Sequence, residues 1–237
     1  MRYLLKVSYD GSKFYGFQRQ KDKNAVQNNI ERELSKLFNK EILIKGAGRT
    51  DRGVHSFGQV VHFDSDLCVS PSLIKSDLNN SLKYIRIRKC KIVSSSFHSR
   101  FSAKKKHYMY KISFNKEDYN SEYKLFSKKV NIKEMKRASK EFLGVHNFQN
   151  FVSGTRENYM SIIYKIKFCK LGNNLTIHFY GKSFYRYMVR NMVGALLDIG
   201  KGKATISDLR NLLISEKTDK MLSTAPSKGL TLVKIYY

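Results

Sequence analysis

The sequence has few of the features that mark secreted, metal-binding or membrane-spanning proteins. Its 237 residues include three cysteines, Cys68, Cys90 and Cys169. Their number is odd and none belongs to a CxxC pair, so neither a disulfide framework nor a zinc site is indicated. No apolar run approaches the roughly twenty residues of a transmembrane helix. The first residues are too short and too interrupted for a signal peptide, so we expect a cytoplasmic protein.

Acidic residues are also scarce. Nineteen Asp and Glu face 45 Lys and Arg, which gives a formal net charge of +26 and a pI near 10.0. Such a charge is tolerated mainly where a polyanion supplies the opposite sign, and nucleic acid is the commonest one. An anionic membrane would favour a strongly amphipathic basic helix, which is missing, so we expect no membrane partner. The six histidines do not follow metal-ligand spacings, so we expect no metal site.

The composition is nevertheless that of a folded protein, with 41% hydrophobic residues, 15 Phe and 15 Tyr. Strand and helix patterns follow the order strand, helix, strand, strand, helix in each half. Because several strand pairs lack an intervening helix, we predict an α+β fold with mixed, mostly antiparallel sheets flanked by helices. Two similar α/β lobes are predicted over residues 1–103 and 104–237.

Some of the predicted elements have bounds that a structure can test. A helix is predicted over residues 25–38, with Asn24 as its cap and Gln27 reaching back. Short strands are predicted over 41–45 and 108–114 and the longest helix over 184–199. Two strands paired around Gly172 are predicted at 162–169 and 175–180.

One stretch, Gly46 to His55, combines three glycines with Arg49 and Asp51. In an extended segment, residues two apart point to the same side, which would place the guanidinium beside the carboxylate. The guanidinium would keep the carboxylate ionised, and a positioned, ionised aspartate can act as nucleophile or general base. Taken alone, the spacing favours the simpler interpretation, a turn closed by a local ion pair.

A second stretch, residues 97–110, is the most basic and aromatic part of the chain. Cations neutralise phosphates and aromatic rings stack on unpaired bases, so this composition is typical of an RNA-binding surface. A lysine run is also often just a solvated face, and both interpretations stand here. No nucleophile elbow or phosphate-binding fingerprint is present, so we expect no nucleotide cofactor.

These stretches resemble the TruA family of tRNA pseudouridine synthases. The segment Gly46 to His55 is similar to that family's motif G-R-T-D-[AR]-G-V-H-A, and residues 58–63 to its G-Q-V-x-H-F. The segment from Tyr9 to Gln20 looks like the family's opening motif. Further matches follow in family order, at residues 97–103, 148–151, 188–194, 200–202 and 225–230.

The resemblance implies the pseudouridine synthase fold with a central cleft, and a cofactor-free isomerase that detaches uracil from ribose and rejoins it through C5. Asp51 would be the nucleophile, attacking C6 of the base or C1′ of the sugar. Arg49 would hold the loop against RNA, Tyr108 would stack on the flipped uracil, and Arg190 would pair with the catalytic carboxylate. The predicted substrate-binding residues are Tyr108, Arg19, Gln59, His98, Arg100, Phe101, Lys104, Lys105, Lys106 and His107.

By the same resemblance, the partner is the anticodon stem-loop of tRNA, modified at the uridines of positions 38, 39 and 40, and the enzyme is a homodimer. Two alternatives stay open. One is a paralogous synthase that acts on another RNA, such as rRNA. The other is a non-catalytic RNA-binding chaperone that merely keeps the fold.

Overall fold

The structure, a computed structural model, describes residues 1–215 and 223–237. The strands are β1 Arg2–Tyr9, β2 Lys45–Gly46, β3 His55–Asp64, β4 Ile85–Val93, β5 Lys105–Ser113, β6 Leu125–Phe126, β7 Gly144–Asn147, β8 Met160–Leu171, β9 Asn174–Gly181 and β10 Leu230–Tyr236. The α-helices of the described ranges are α1 Val26–Phe38, α2 Pro71–Ser81, α3 Ile132–Ala138, α4 Met188–Gly200 and α5 Ile206–Ile214. The predicted α+β class with mostly antiparallel strands is confirmed.

The chain divides into two compact units. Unit 1 comprises Met1–Lys104 and Thr231–Tyr237, and unit 2 comprises Lys105–Leu230. The predicted lobes, residues 1–103 and 104–237, differ from these units chiefly in the last seven residues, Thr231–Tyr237, which are part of unit 1. They belong to unit 1 because β10 pairs in parallel with β3, placing Thr231 opposite His55.

Unit 1 is a sheet with two helices on one face. Its strands follow the order β4-β1-β3-β10, and β1 is antiparallel to both β3 and β4. Alternate residues of β1, from Tyr3 to Tyr9, join the buried core with the apolar stripes of α1 and α2. Two core residues, Ile42 and Ile44, come from the segment predicted as a strand at 41–45, which is wrong because β2 contains only Lys45–Gly46.

The start of α1 shows why the predicted Asn24 cap is wrong. The N-cap is Ala25, and its side chain makes no capping hydrogen bond. The first helical amides find backbone acceptors instead, because Val26 N–H donates to Gly16 C=O at 3.1 Å and Gln27 N–H to Phe17 C=O at 2.9 Å. The loop before the helix therefore satisfies amides that a side-chain cap would otherwise serve.

The strands of unit 2 follow the order β5-β9-β8-β7, and β6 pairs with β5. The hairpin predicted around Gly172 is confirmed as β8 and β9. The strand predicted at 108–114 starts earlier, at Lys105, and the helix predicted from 184 starts only at Met188. Tyr187 precedes that helix with a φ of 65°, a left-handed conformation that cannot continue an α-helix towards the N-terminus.

Residues 1–215 and 223–237 include neither a membrane-spanning helix nor a metal-ligand cluster. No helix there combines the length and apolar character that a membrane crossing requires. His, Cys, Asp and Glu side chains in the same ranges nowhere group by three in a way that would hold a metal ion.

Candidate active site

The Asp51 loop, residues 47–54, connects two paired strands of unit 1. The strand β2 ends at Gly46, and its antiparallel partner β3 starts at His55. The amide of Ala47 continues the ladder by donating to the carbonyl of Val60 at 2.8 Å. The loop therefore leaves and re-enters one sheet, which fixes both of its ends.

Two hydrogen bonds fix the loop backbone just before Asp51. The amide group of Gln59, which is fully buried, donates through Nε2 to the carbonyl of Gly48 at 2.9 Å. The backbone amide of Phe17 donates to the carbonyl of Thr50 at 3.0 Å. Gln59 is therefore a buried support for the loop, and its predicted contact with the substrate stays a prediction.

The backbone after Asp51 turns sharply and packs closely on a neighbouring loop. The amide of Val54 donates to the carbonyl of Asp51 at 3.1 Å, and Gly53 adopts a φ of 79°. A Cβ at Gly16, whose φ is 98°, would lie 2.9 Å from the carbonyl oxygen of Thr50. Both positions therefore favour glycine, one for the turn and one for the close approach.

The side chain of Thr50 joins the loop to β1. Its Oγ1 lies 2.8 Å from the hydroxyl of Tyr9, and both residues are buried. Burial raises the pKa of Tyr9 to about 12, although hydrogen bonds with Thr50, Gln59 and Ser56 oppose this shift. The phenol therefore stays neutral at physiological pH and keeps its proton for hydrogen bonding.

Charged residues flank Asp51 in the sequence. Asp51 is half-buried, whereas Arg49 and Arg52 are exposed. The guanidinium carbon of Arg52 lies 4.4 Å from the centre of the Tyr15 ring, which is itself exposed. A carboxylate on a fixed backbone is thus presented within a cationic, aromatic surface, an arrangement that suits attack on a nucleoside within a polyanion.

His55 joins the start of β3 to the end of β1. Its Nδ1 accepts the N–H of Gly11 at 3.1 Å and lies 3.3 Å from a carboxylate oxygen of Asp10. The imidazole is buried, so it supports the loop from within. Tyr9, Asp10 and Gly11 belong to the opening motif, but their role as supports was not predicted, because their partners follow some forty residues later.

The turn of residues 98–102 presents an aromatic ring beside a cation. The Nδ1 of His98 accepts the backbone N–H groups of Arg100 at 3.1 Å and Phe101 at 3.3 Å. The Phe101 ring is 76% exposed, 4.3 Å from the His98 ring and 5.5 Å from the Arg100 guanidinium. An exposed ring held beside a cation is suited to stacking on an unpaired base.

The protonation of His98 is set by its surroundings. Burial lowers its pKa, and the cationic side chains of Lys45, Arg2 and Arg100 lower it further. The ring is therefore neutral at physiological pH, which leaves Nδ1 able to accept the two backbone amides that shape the turn.

The 98–102 turn and the Asp51 loop are anchored on the same strand. Ser99 Oγ donates to the carbonyl of Lys45 in β2 at 2.6 Å. The Nδ1 of His62 accepts the N–H of Ser99 at 3.2 Å and lies 2.9 Å from its Oγ. His62 is almost fully buried, and burial lowers its pKa to about 4. The structure thus brings two of the predicted site segments together within unit 1.

The three consecutive lysines, residues 104–106, belong to both units. Lys104 is exposed and belongs to unit 1, where its N–H donates to the carbonyl of Tyr236 at 2.8 Å. Lys105 and Lys106 are half-buried and open β5 of unit 2. Of the three lysines, only Lys104 is therefore fully solvated, so the run is not simply a solvated face.

His107 and Tyr108 are buried side chains of β5. The Nε2 of His107 lies 2.9 Å from Nδ1 of His178, and its ring stacks at 4.1 Å on Tyr180. These contacts pack His107 against the sheet, and its predicted contact with the substrate stays a prediction. The Tyr108 ring is 7% exposed and meets the Phe184 ring edge-on at 5.1 Å.

Arg190 is held in unit 2 by a reciprocal pair of hydrogen bonds. Its Nε donates to the carbonyl of Ala225 at 2.8 Å, and the amide of Ala225 donates to the carbonyl of Arg190 at 3.0 Å. Its guanidinium carbon lies 4.4 Å from the centre of the Tyr187 ring. A backbone carbonyl and an aromatic face therefore fix the direction of this cation.

Arg19 is exposed and directed by α1. Its backbone N–H donates to Oε1 of Gln27 at 3.1 Å, and its Nε lies 3.5 Å from a carboxylate oxygen of Glu31. The loop of the opening motif is therefore pinned to the first turns of the helix that follows it.

A family model matches most of the chain. It is described as tRNA pseudouridine synthase and matches residues 6–102 and 138–237. The protein named tRNA pseudouridine synthase A from Onion yellows phytoplasma (strain OY-M) is 36% identical over 238 residues, covering 99% of this chain and 98% of its own. The protein of the same name from Pseudothermotoga lettingae is 39% identical over 242 residues, with the same coverage.

Solved structures match far more distantly. The crystal structure of the archaeal box H/ACA sRNP Nop10-Cbf5 complex aligns with 82% of this chain and 43% of its own, at 10% identity and a TM-score of 0.39. The close relatives and the family model together define an enzyme class that modifies uridine in RNA. The chain belongs to the tRNA pseudouridine synthase family.

Proposed function

We propose that this protein isomerises uridine to pseudouridine in tRNA, with the Asp51 carboxylate as nucleophile. The observation that carries the proposal is the fixed backbone of the Asp51 loop, which Gln59 and Tyr9 hold beside the exposed Arg49. Family membership supports tRNA as the substrate, because the relatives are named tRNA pseudouridine synthase A.

The reaction requires a nucleophile but no oxidant or reductant. Asp51 attacks C1′ of the ribose or C6 of the base, and the N1–C1′ bond breaks. The uracil turns, C5 bonds to C1′, C5 loses its proton, and N1 gains one. The Asp51 carboxylate is regenerated at the end. Substrate and product are isomers, so the reaction needs no cofactor to balance its atoms or electrons.

The target uridine must leave its stack before the carboxylate can reach it, which costs a few kcal/mol. The exposed ring of Phe101 beside Arg100 supports RNA binding by the 98–102 turn, and Lys104 adds an exposed cation. Stacking of Tyr108 on the flipped base and pairing of Arg190 with a carboxylate are carried over from the family motif. They stay predictions.

The finer substrate is proposed from the same resemblance. It is the anticodon stem-loop at positions 38, 39 and 40, modified by a homodimer in the cytoplasm. Mapping of pseudouridine in total RNA, with and without the protein, distinguishes this substrate from rRNA. New pseudouridine confined to rRNA would identify the paralogous synthase.

The direct test is tritium release from tRNA transcripts labelled at uridine C5. Wild type is compared with Asp51→Asn, which keeps the size of the side chain but removes its charge. Asp66→Asn is the matched control, because Asp66 is an exposed carboxylate of unit 1 that pairs with Lys40. We expect release by wild type and by the control, none by Asp51→Asn, and similar tRNA affinity for all three.

Two outcomes would contradict the proposal. Full release by Asp51→Asn would show that the carboxylate is not the nucleophile. Tight tRNA binding by wild type without release from any transcript would favour the non-catalytic chaperone.

A further inference from the structure

A cationic face lies on unit 1, opposite its two helices. In β1, the alternate residues Leu4, Lys6 and Ser8 point away from the core that Tyr3, Leu5, Val7 and Tyr9 share with α1. The antiparallel register of the edge strand β4 adds further side chains to that side. It places Lys91 opposite Leu4 and Lys89 opposite Lys6, whereas the guanidinium of Arg86 donates to the carbonyl of Asn79 in α2 at 3.0 Å. We call Lys6, Lys89 and Lys91 the cationic sheet face.

This arrangement carries an electrostatic cost in the protein alone. Like charges directly opposite each other on neighbouring strands are destabilising, and Lys6 stands directly opposite Lys89. Within residues 1–215 and 223–237, no ion pair relieves Lys6, Lys89 or Lys91. The acidic residue of β3 on the same side, Asp64, is already held by two hydrogen bonds from Arg2, each of 2.7 Å.

The side chains of the cationic sheet face indicate what kind of partner it binds. The cationic sheet face and its neighbours Leu4 and Ser8 include no aromatic ring, so it cannot stack on bases, and it presents no exposed apolar side chain that would enter a lipid bilayer. It offers positive charge only. Charge without stacking groups suits the phosphate backbone of a double-helical RNA, which is bound without regard to sequence.

The cationic sheet face also continues into the proposed RNA-binding turn. His62 lies opposite Leu4 on β3, and it holds Ser99 of the 98–102 turn. Arg2, on the same side of β1, donates through Nη1 to the carbonyl of Phe97 at 2.8 Å. The 98–102 turn and the cationic sheet face therefore lie on the same side of strand β1.

We infer that the cationic sheet face binds the phosphate backbone of a helical part of the substrate RNA outside the anticodon stem-loop. This inference rests on the proposed function, because it takes tRNA as the substrate. It adds a second contact area that acts on affinity and orientation and has no part in the chemical step.

The test removes three cations while keeping polar side chains at these positions. The variant Lys6→Gln/Lys89→Gln/Lys91→Gln is compared with Lys133→Gln/Lys136→Gln/Lys140→Gln, which removes three exposed lysines from unit 2. Affinities for a full-length tRNA transcript and for its isolated anticodon stem-loop are measured against KCl concentration. The thermal midpoint of each variant is recorded as a check on folding.

We expect the first variant to bind full-length tRNA about tenfold more weakly at 0.1 M KCl, with a salt slope shallower by about two. Its affinity for the isolated stem-loop should change less than about twofold, and the control should affect both RNAs less. Its thermal midpoint should not fall, because a like-charge pair is removed.

Three results would overturn the inference. Unchanged affinity for full-length tRNA would exclude the face from the RNA contact. Equal losses for both RNAs would place it at the stem-loop. Loss of binding to phosphatidylglycerol vesicles with tRNA affinity intact would identify a membrane contact. Tritium release by wild type is followed in parallel, so failure of the proposed function is recognised separately.

Discussion

The hydroxyl groups of Tyr9 and Thr50 lie 2.8 Å apart in the interior of unit 1. Tyr9 ends β1, and Thr50 immediately precedes Asp51, so this hydrogen bond connects a central strand to the residue next to the proposed nucleophile. Burial raises the pKa of the Tyr9 phenol to about 12, so the hydroxyl stays protonated and this neutral hydrogen bond persists over the whole working range of pH.

Removing this bond should reduce turnover more than RNA binding. In Tyr9→Phe, the ring stays packed but Thr50 loses its partner, so the carboxylate of Asp51 is held less firmly. We expect kcat to fall roughly tenfold, with KM for tRNA nearly unchanged, in steady-state tritium release.

Tyr3→Phe is the matched control. Tyr3 is fully buried in the same strand, and its hydroxyl bonds to the carbonyl of Val69 at 2.9 Å, away from the loop. Both variants should lose about 1 kcal/mol of unfolding free energy, but only Tyr9→Phe should lose turnover. Equal loss of kcat in both would show that stability, not positioning, determines the effect.

Elements with a local signal were predicted well from sequence. The period-two pattern of β1, the apolar stripe of α1 and the turn at Gly172 between β8 and β9 all depend on neighbouring residues. Long-range partners were not predictable in this way. The last strand reads like any other strand, and nothing in its own residues shows that it returns to β3 rather than staying in the second lobe.

The residues of the candidate site also differ in whether a local sequence signal identifies them. The Asp51 loop was found from its motif, whereas its supports were not, because Gln59 and Tyr9 are chemically ordinary buried residues until the fold brings them to the loop. Burial also changed the interpretation of His107, which reads in sequence as part of a basic run and lies in the structure beneath Tyr180.

The buried imidazole of His62 should make stability depend on pH. Its pKa is lowered to about 4 in the folded protein, against an ordinary value of about 6.5. Between these values the unfolded chain binds a proton that the folded protein does not, so stability falls as pH falls from 6.5 towards 4. The contribution lost over this range is at most about 3 kcal/mol.

Urea unfolding at pH 7 and at pH 4.5 tests this prediction with His62→Gln, which cannot titrate but keeps an acceptor for Ser99. Other groups titrate in the same range, so the difference between wild type and variant is the quantity to follow. The advantage of wild type should shrink as the pH falls, whereas identical pH dependence of the two proteins would contradict the assigned protonation of His62.

We expect Tyr187 to support activity through the contact of its ring face with Arg190. The centre of the Tyr187 ring lies 4.4 Å from the guanidinium carbon of Arg190. The backbone of Tyr187 has a φ of 65°. Tyr187→Phe keeps the ring and should retain activity. Tyr187→Asn suits the left-handed backbone but removes the ring, so it should fold normally and lose about three- to thirtyfold in kcat/KM. Unchanged kcat/KM in Tyr187→Asn would remove this contact from the site.

Gly194, in the middle of α4, should reverse the usual effect of a glycine-to-alanine change in a helix. That change normally stabilises a helix by up to about 1 kcal/mol. Here a Cβ would lie 1.4 Å from the carbonyl oxygen of Ser223 and 3.2 Å from the amide nitrogen of Ala225. The obstacle is backbone, so the segment that bonds to Arg190 must move.

Gly200→Ala provides the comparison within the same helix, because its Cβ would meet the flexible side chain of Met135, at 2.8 Å from Cγ. We expect Gly194→Ala to lose about 3 kcal/mol or more of unfolding free energy and Gly200→Ala clearly less. At a temperature where both variants are folded, only Gly194→Ala should also lose turnover, because Ala225 directs the Arg190 side chain. Equal turnover in the two variants would show that the position of Ala225 does not govern catalysis.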